Sequence, residues 1–196
     1  MPILHTIVLF LGKLAVIFFL LRLLLQLVRA DYYNPLSQAI VRFTEPLCGP
    51  LRKIFKPTGR LDVASLMATF LVQFLVVTLL LLTAGASLSP SLMLLVLKAT
   101  PLMLVDELLG LLFICMLIVA ISSWIAPGSS HPGLQLLYQI IEPVAQPVRK
   151  IIPPMGGLDL SFIFLFLGIY LVQNHLLYPL AVSTLGTPLT RILGIV

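Results

Sequence analysis

Charge is what this chain has least of. Asp, Glu, Lys and Arg together make up 10% of its 196 residues, against 60% apolar side chains, where an ordinary globular domain carries roughly 25% charged residues. A chain so composed cannot hide its apolar surface from water, which excludes the soluble globular class. Acidic residues number seven against twelve Lys and Arg, a net charge of +5. Cysteine occurs twice, Cys48 in a basic loop and Cys115 in an apolar run, with no CxxC and no Cys/His neighbour. Two free thiols are expected, and neither a disulfide framework nor a metal site. No GxxxxGK loop is present, and Ser122-Ser123 and Ser129-Ser130 lack a Gly-rich elbow and a clear acid, so enzyme readings have no residues to stand on. No cofactor is expected.

What is abundant is long runs of Leu, Val, Ile and Phe, separated by stretches that hold nearly all the Lys, Arg, Pro and Gly. Four runs are long enough to cross roughly 30 Å of hydrocarbon as helices, at about residues 7–29, 62–83, 104–126 and 159–181. The first lacks a basic leader and a small-residue cleavage signal and contains Lys13 and Arg22, so it is read as a retained span. Ser87 to Val105, interrupted by Pro90, Lys98 and Pro101, reads as an extension of the third span or an interfacial helix, with a fifth span as the alternative.

The chain repeats itself. A shift of 97 residues lays the run Glu45 to Ile54 onto Glu142 to Ile151, and without a gap Pro57 meets Pro154, Gly59 meets Gly156 and Asp62 meets Asp159. The reading is an all-α membrane protein of two repeats, residues 1–86 and 104–196, joined by a connecting or interfacial segment at 87–103. Each repeat is a span, an amphipathic interfacial helix pair and a second span, so both copies enter the membrane in the same direction. The loop from Arg29 to Arg60 holds six basic residues and its partner adds Arg149 and Lys150, while the opposite side offers only Lys98 and Arg191. The positive-inside rule then places both motif loops in the cytoplasm and both termini outside.

Asn34-Pro35 and His131-Pro132 read as helix starts, a capping residue followed by a proline at the first helical position. Leu36, Ile40 and Phe43 oppose Gln38 and Arg42, and Leu134, Leu137, Tyr138 and Ile141 oppose Gln135, Gln139 and Glu142. Pro46 and Pro143 are expected to stop each helix, and Pro50 and Pro147 to restart it as a short second one. That second helix leaves Arg52-Lys53 and Arg149-Lys150 able to reach lipid phosphates or a cytoplasmic partner. Gly59 and Gly156 read as turns. Asp62 and Asp159 read as caps of the following spans, with ion pairs to Arg52 or Arg149 compatible with that role.

These residues resemble the YggT family of bacterial membrane proteins and its plastid and cyanobacterial YlmG relatives. The likeness rests on Asp31-Tyr32-Tyr33-Asn34-Pro35, the run Glu45 to Lys53, the turn Pro57 to Asp62, and Pro143 to Asp159 with Met155-Gly156-Gly157. It implies an inner-membrane protein with no defined catalytic residues. Relatives are linked to osmotic-shock tolerance, to organisation of division or plastid nucleoids, and to haem attachment to a membrane cytochrome. His175, beside Gln173 and Asn174, reads as an inter-helix hydrogen-bonding group, with a haem ligand as the alternative that those relatives suggest.

Lys13 inside the first span needs a partner. The repeat register puts Asp106 and Glu107 about one turn outward, and Gly110 at its own depth, where it would let the first and third spans approach. A Lys13 pair with Glu107 or Asp106 is therefore expected, against snorkelling to head groups. Three functions remain. The leading one is a non-enzymatic protein supporting the envelope, including osmotic-stress tolerance, through basic motifs that contact membrane lipids or a partner. The others are a small channel or transporter, formed as a homo-oligomer, and an assembly factor for a membrane complex. Nucleic acid is not an expected partner.

Overall fold

The computed structural model describes residues 3–56, 62–125, 128–152 and 159–195. Gly59, Gly156 and the turns they were expected to make lie outside these residues. The described residues form helices and turns only, without a strand. In chain order the helices are α1 (Ile3–Leu27), α2 (Pro35–Ile54), α3 (Val63–Thr83), α4 (Pro90–Ile125), α5 (Pro132–Ile151), α6 (Ser161–Leu171), α7 (Tyr178–Leu185) and α8 (Thr187–Leu193), with a π-helical turn, Val172–Leu177, between α6 and α7.

Four helical stretches are long and apolar enough to cross a membrane: α1, α3, α4 and Ser161–Leu185. The chain is a membrane protein. At 1.5 Å per residue α1 is about 37 Å long and α4 about 54 Å. The doubtful segment resolves in favour of extension, because from Pro90 onward it forms the first turns of α4. Pro101 sits inside that helix on an exposed side. Beside it the Thr100 hydroxyl donates to the Val96 carbonyl at 2.8 Å, while the carbonyl that Pro101 leaves without its amide donor is that of Leu97.

α2 and α5 have the same length and begin and end 97 residues apart, Pro35–Ile54 and Pro132–Ile151. Their starts form as their sequences require. The Asn34 side chain accepts from Leu36 N at 2.9 Å, and His131 Nδ1 accepts from Gly133 N at 3.1 Å, with a proline at the first position of each helix. The two helices lie side by side at one end of the bundle, where Asn34 Nδ2 donates to Pro132 O at 2.7 Å and Asp31 N to Gln139 Oε1 at 2.9 Å. Both copies therefore run the same way.

Two expectations about these helices are corrected. Pro46, Pro50, Pro143 and Pro147 neither stop nor restart anything, since each helix runs through both of its prolines. Prolines four apart share one face, and all four are exposed. The hydrogen bonds they delete are lost where the orphaned carbonyls of Arg42 and Pro46 are not enclosed by protein. The inward face of α2 is also not Leu36, Ile40 and Phe43 but Ser37, Ile40, Thr44 and Cys48. It is a half-polar stripe, and what it covers is described below.

The last span is not a plain helix. Pro179 cannot offer an N–H to His175 O, and the turn before it widens, so that Tyr178 N reaches back five residues to Gln173 O. Gly110 was expected at a close helix contact, yet a Cβ there would meet nothing within 4 Å. The close approach is at Gly12, where a Cβ would lie 2.6 Å from Val76 Cγ1 and α1 packs against α3. Gly12→Leu should accordingly cost about 1–3 kcal/mol by overpacking, while Gly110→Ala should be neutral. Thermal unfolding in detergent checks both, and equal losses would contradict the assignment.

Candidate functional site

Arg22 lies inside the apolar α1 and is 1% exposed. A guanidinium stays charged there and must have its donors satisfied. The inward face of α2 and the start of α3 supply the acceptors. Nε donates to Ser65 Oγ at 3.2 Å, Nη1 to Thr44 Oγ1 at 2.8 Å and to Val41 O at 3.1 Å, and Nη2 to Glu45 Oε2 at 2.6 Å. This explains the half-polar stripe: Thr44 is spent on Arg22 rather than on lipid.

Glu45 links Arg22 to Arg52, whose Nη1 lies 3.5 Å from the same oxygen. Arg52 then grips Asp62 Oδ2 with Nε at 3.0 Å and Nη2 at 2.6 Å. Asp62 closes the ring, accepting from Ser65 Oγ at 2.8 Å and Gln26 Nε2 at 2.9 Å while its other oxygen caps α3 at Ala64 N, 3.1 Å away. Capping and ion pairing coexist on one carboxylate, as the sequence allowed. Burial would push the Asp62 carboxyl up, but hydrogen bonds from Arg52, Ser65 and Gln26, with the Arg52 charge, outweigh it and bring the pKa down to about 2.

The second copy keeps half of this. Arg149 donates to Asp159 Oδ2 from Nε and to Glu142 Oε2 from Nη1, both at 2.7 Å. Asp159 accepts from Ser161 N at 3.1 Å and from the Ser161 hydroxyl, and it too is held below the usual carboxylate range, against the effect of burial, by Ser161 and Arg149. The positions matching Arg22, Thr44 and Ser65 under the 97-residue shift are Val119, Ile141 and Phe162, all buried. Phe162 packs under the Arg149 guanidinium at 5.6 Å from ring centroid to Cζ. One copy is bound to its spans by a charged ring and the other by an apolar core.

These contacts revise the sequence-based site. Arg52 and Arg149, expected to reach phosphates, are committed to carboxylates, whereas Lys53 and Lys150 beside them are exposed and make no ion pair among the described residues. Arg22, Glu45 and Glu142 were not singled out as partners. The available signal was a lone arginine inside an apolar helix.

Lys13 pairs with neither Asp106 nor Glu107 among the ion pairs found. It is half-buried, and its Nζ lies 3.8 Å from where a Cβ would stand on Gly194. The C-terminal end of α8, unforeseen in the sequence, lies against it. Asp106 Oδ1 accepts from Gln173 Nε2 at 2.9 Å, and both Glu107 oxygens are buried without a hydrogen-bond partner. His175 lies edge-on to Tyr170, ring centroids 6.4 Å apart, rather than bonding to another helix. Among the described residues no three His, Cys, Asp or Glu side chains are grouped to hold a metal ion.

The sequence pattern of the CCB3/YggT family matches in two stretches, residues 1–83 and 87–180, one across each copy of the motif. This chain belongs to that family. Among its relatives, the uncharacterized protein PA0392 of Pseudomonas aeruginosa is 44% identical over 178 residues, covering 91% of this chain and 89% of its own. A protein from the proC 3′ region of Vibrio alginolyticus is 43% identical over 151 residues, 76% of this chain and 80% of that one. Escherichia coli YggT is 34% identical over 155 residues, 79% and 78% of the two chains. No solved structure matches the chain. Nothing in these relatives points to catalysis.

Two outcomes follow from the ring. Because the Asp62 pKa falls from the ordinary 3.8 to about 2, its stabilising contribution is complete above about pH 4 and is lost as pH falls through 2, about 2 kcal/mol in all. Unfolding midpoints measured from pH 6 to pH 2 should show this acid limb, and Asp62→Asn should flatten it. Replacing Arg22 alone by Val strands Thr44 and Ser65 without their donor and should cost about 2 kcal/mol. The triple change Arg22→Val, Thr44→Ile, Ser65→Phe installs the second copy's apolar solution and should recover most of that loss, since well-packed apolar groups replace buried ionic ones at little cost. A triple variant less stable than the single one would refute the equivalence of the two copies.

Proposed function

We propose that this protein is a non-enzymatic component of the bacterial inner membrane that supports the envelope, including tolerance of osmotic stress, by presenting its paired motif helices to anionic lipid or to a membrane partner. The observation that carries this reading is the pairing of α2 and α5 at one end of the bundle, each ending in an exposed lysine held in place by an arginine–carboxylate lock. Amphipathic helices with cationic ends suit an interface between hydrocarbon and head groups. The basic residues gathered at this end favour its facing the cytoplasm, with the termini outside. The test leaves the locks intact: Lys53→Gln with Lys150→Gln, at normal abundance, should impair growth after an osmotic upshift. Unchanged growth would refute the role.

A second reading, a small channel or transporter, draws on one cluster. Glu107 has both oxygens unpartnered and Gln73 its Oε1 unpartnered, both within apolar helices, where such groups mark pathways. Flux of K⁺ or small osmolytes into proteoliposomes distinguishes it, since the supporting role requires none.

A further inference from the structure

Beside the Arg22 ring a cavity of about 460 Å³ opens between the last turns of α1 and the first half of α2. Its walls carry four guanidiniums, Arg22, Arg29, Arg42 and Arg52, against the single carboxylate of Glu45. Counting Asp62, which is paired with Arg52, two carboxylates face four guanidiniums and leave a net charge of +2. Glu45 and Asp62 account for Arg22 and Arg52, so the uncompensated pair is Arg29 and Arg42, whose side chains join no ion pair among the described residues.

Two further features accompany it. Ser37, 3% exposed, lies on its wall, and its hydroxyl, like the Gln26 Oε1 nearby, is buried without a hydrogen-bond partner. Leaving such groups unmatched is costly. The second feature is the backbone of Arg29. α1 ends in a Schellman motif, with Ala30 N bonded to Leu25 O at 2.8 Å and Arg29 N to Gln26 O at 3.2 Å. The left-handed position of that motif is Arg29, at φ 54°. The same motif closes α3 and α8, and there the position is glycine, Gly85 and Gly194. An arginine strains this site where glycine would not, and here that residue lines the cavity.

We propose that this cavity binds a phosphate ester, with Arg29 and Arg42 as its charge-bearing ligands. Glycerol phosphate has this chemistry, either as a phospholipid head group or free. The inference deepens the lipid-contacting role proposed above and assigns it to the first copy of the motif.

The test is binding to the full-length protein in neutral detergent, using short-chain phosphatidylglycerol, short-chain phosphatidylcholine and free glycerol 3-phosphate as probes. Phosphatidylglycerol should bind saturably and phosphatidylcholine weakly. Arg42→Gln and Arg29→Gly should each weaken binding about tenfold or more, as loss of a charge-assisted hydrogen bond does. Lys98→Gln, exposed on α4 and outside the cavity, should leave it unchanged. Arg29→Gly should also raise the ligand-free unfolding midpoint by a few degrees, because it relieves the backbone. Glycerol 3-phosphate binding as tightly as the lipid would identify a soluble ligand of the same site, and failing to compete would identify the head group. Absence of saturable phosphate-ester binding, or equal losses in the Lys98→Gln variant, would overturn the site. If Lys53→Gln with Lys150→Gln meanwhile loses osmotic tolerance, the broader role stands without the cavity.

Discussion

A single buried guanidinium organises the first half of this molecule. Arg22 is a cation buried away from water, so two helices, α2 and α3, must bring it oxygen atoms. That requirement sets the depth at which α2 lies, the turn of α2 that faces inward, and the rotation of α3 that aims Ser65 at α1. Glu45, 46% exposed, is the outlet of the system: it answers Arg22 on one side and meets water and Arg52 on the other. Asp62 then does two jobs with two oxygens, one capping α3 and one holding Arg52. The ring couples the position of the interfacial helix to that of the spans.

The second half reaches the same architecture without the buried charge. Arg149, Glu142 and Asp159 keep the lock between the interfacial helix and the following span, while Val119, Ile141 and Phe162 fill the space under it. The shared part belongs to helix geometry, namely an interfacial helix tied to the next span's N-terminus. The divergent part is the material beneath. Burying an ion network is rarely the cheapest way to stabilise a helix contact, and its presence in one copy, next to a cavity lined by further arginines, distinguishes how the two repeats are built.

Much of the frame was legible. The four apolar stretches, the 97-residue repeat, the capping residues before Pro35 and Pro132, and the double use of Asp62 all follow from patterns within a few turns of helix. Reading failed where a local rule met its surroundings. Pro46 and Pro143 are helix breakers only where the lost hydrogen bond is enclosed, and here it is not. Gly110 has the composition of a close contact, but α4 turns it to open space, while Gly12 sits against Val76.

Residue type and spacing determined the membrane class, the number of spans, the common direction of the two copies and the family. Those properties follow from hydrophobic length, helix capping and self-similarity, which act along the chain. Which arginine is spent on carboxylates, that Lys13 lies beside the end of α8 and forms no ion pair with Asp106 or Glu107, and that Arg29 and Arg42 share a cavity with Ser37 were decided by tertiary structure alone. Each depends on the rotation and depth of helices far apart in sequence, and a charge's partner is set by which acceptor that packing brings within about 3 Å.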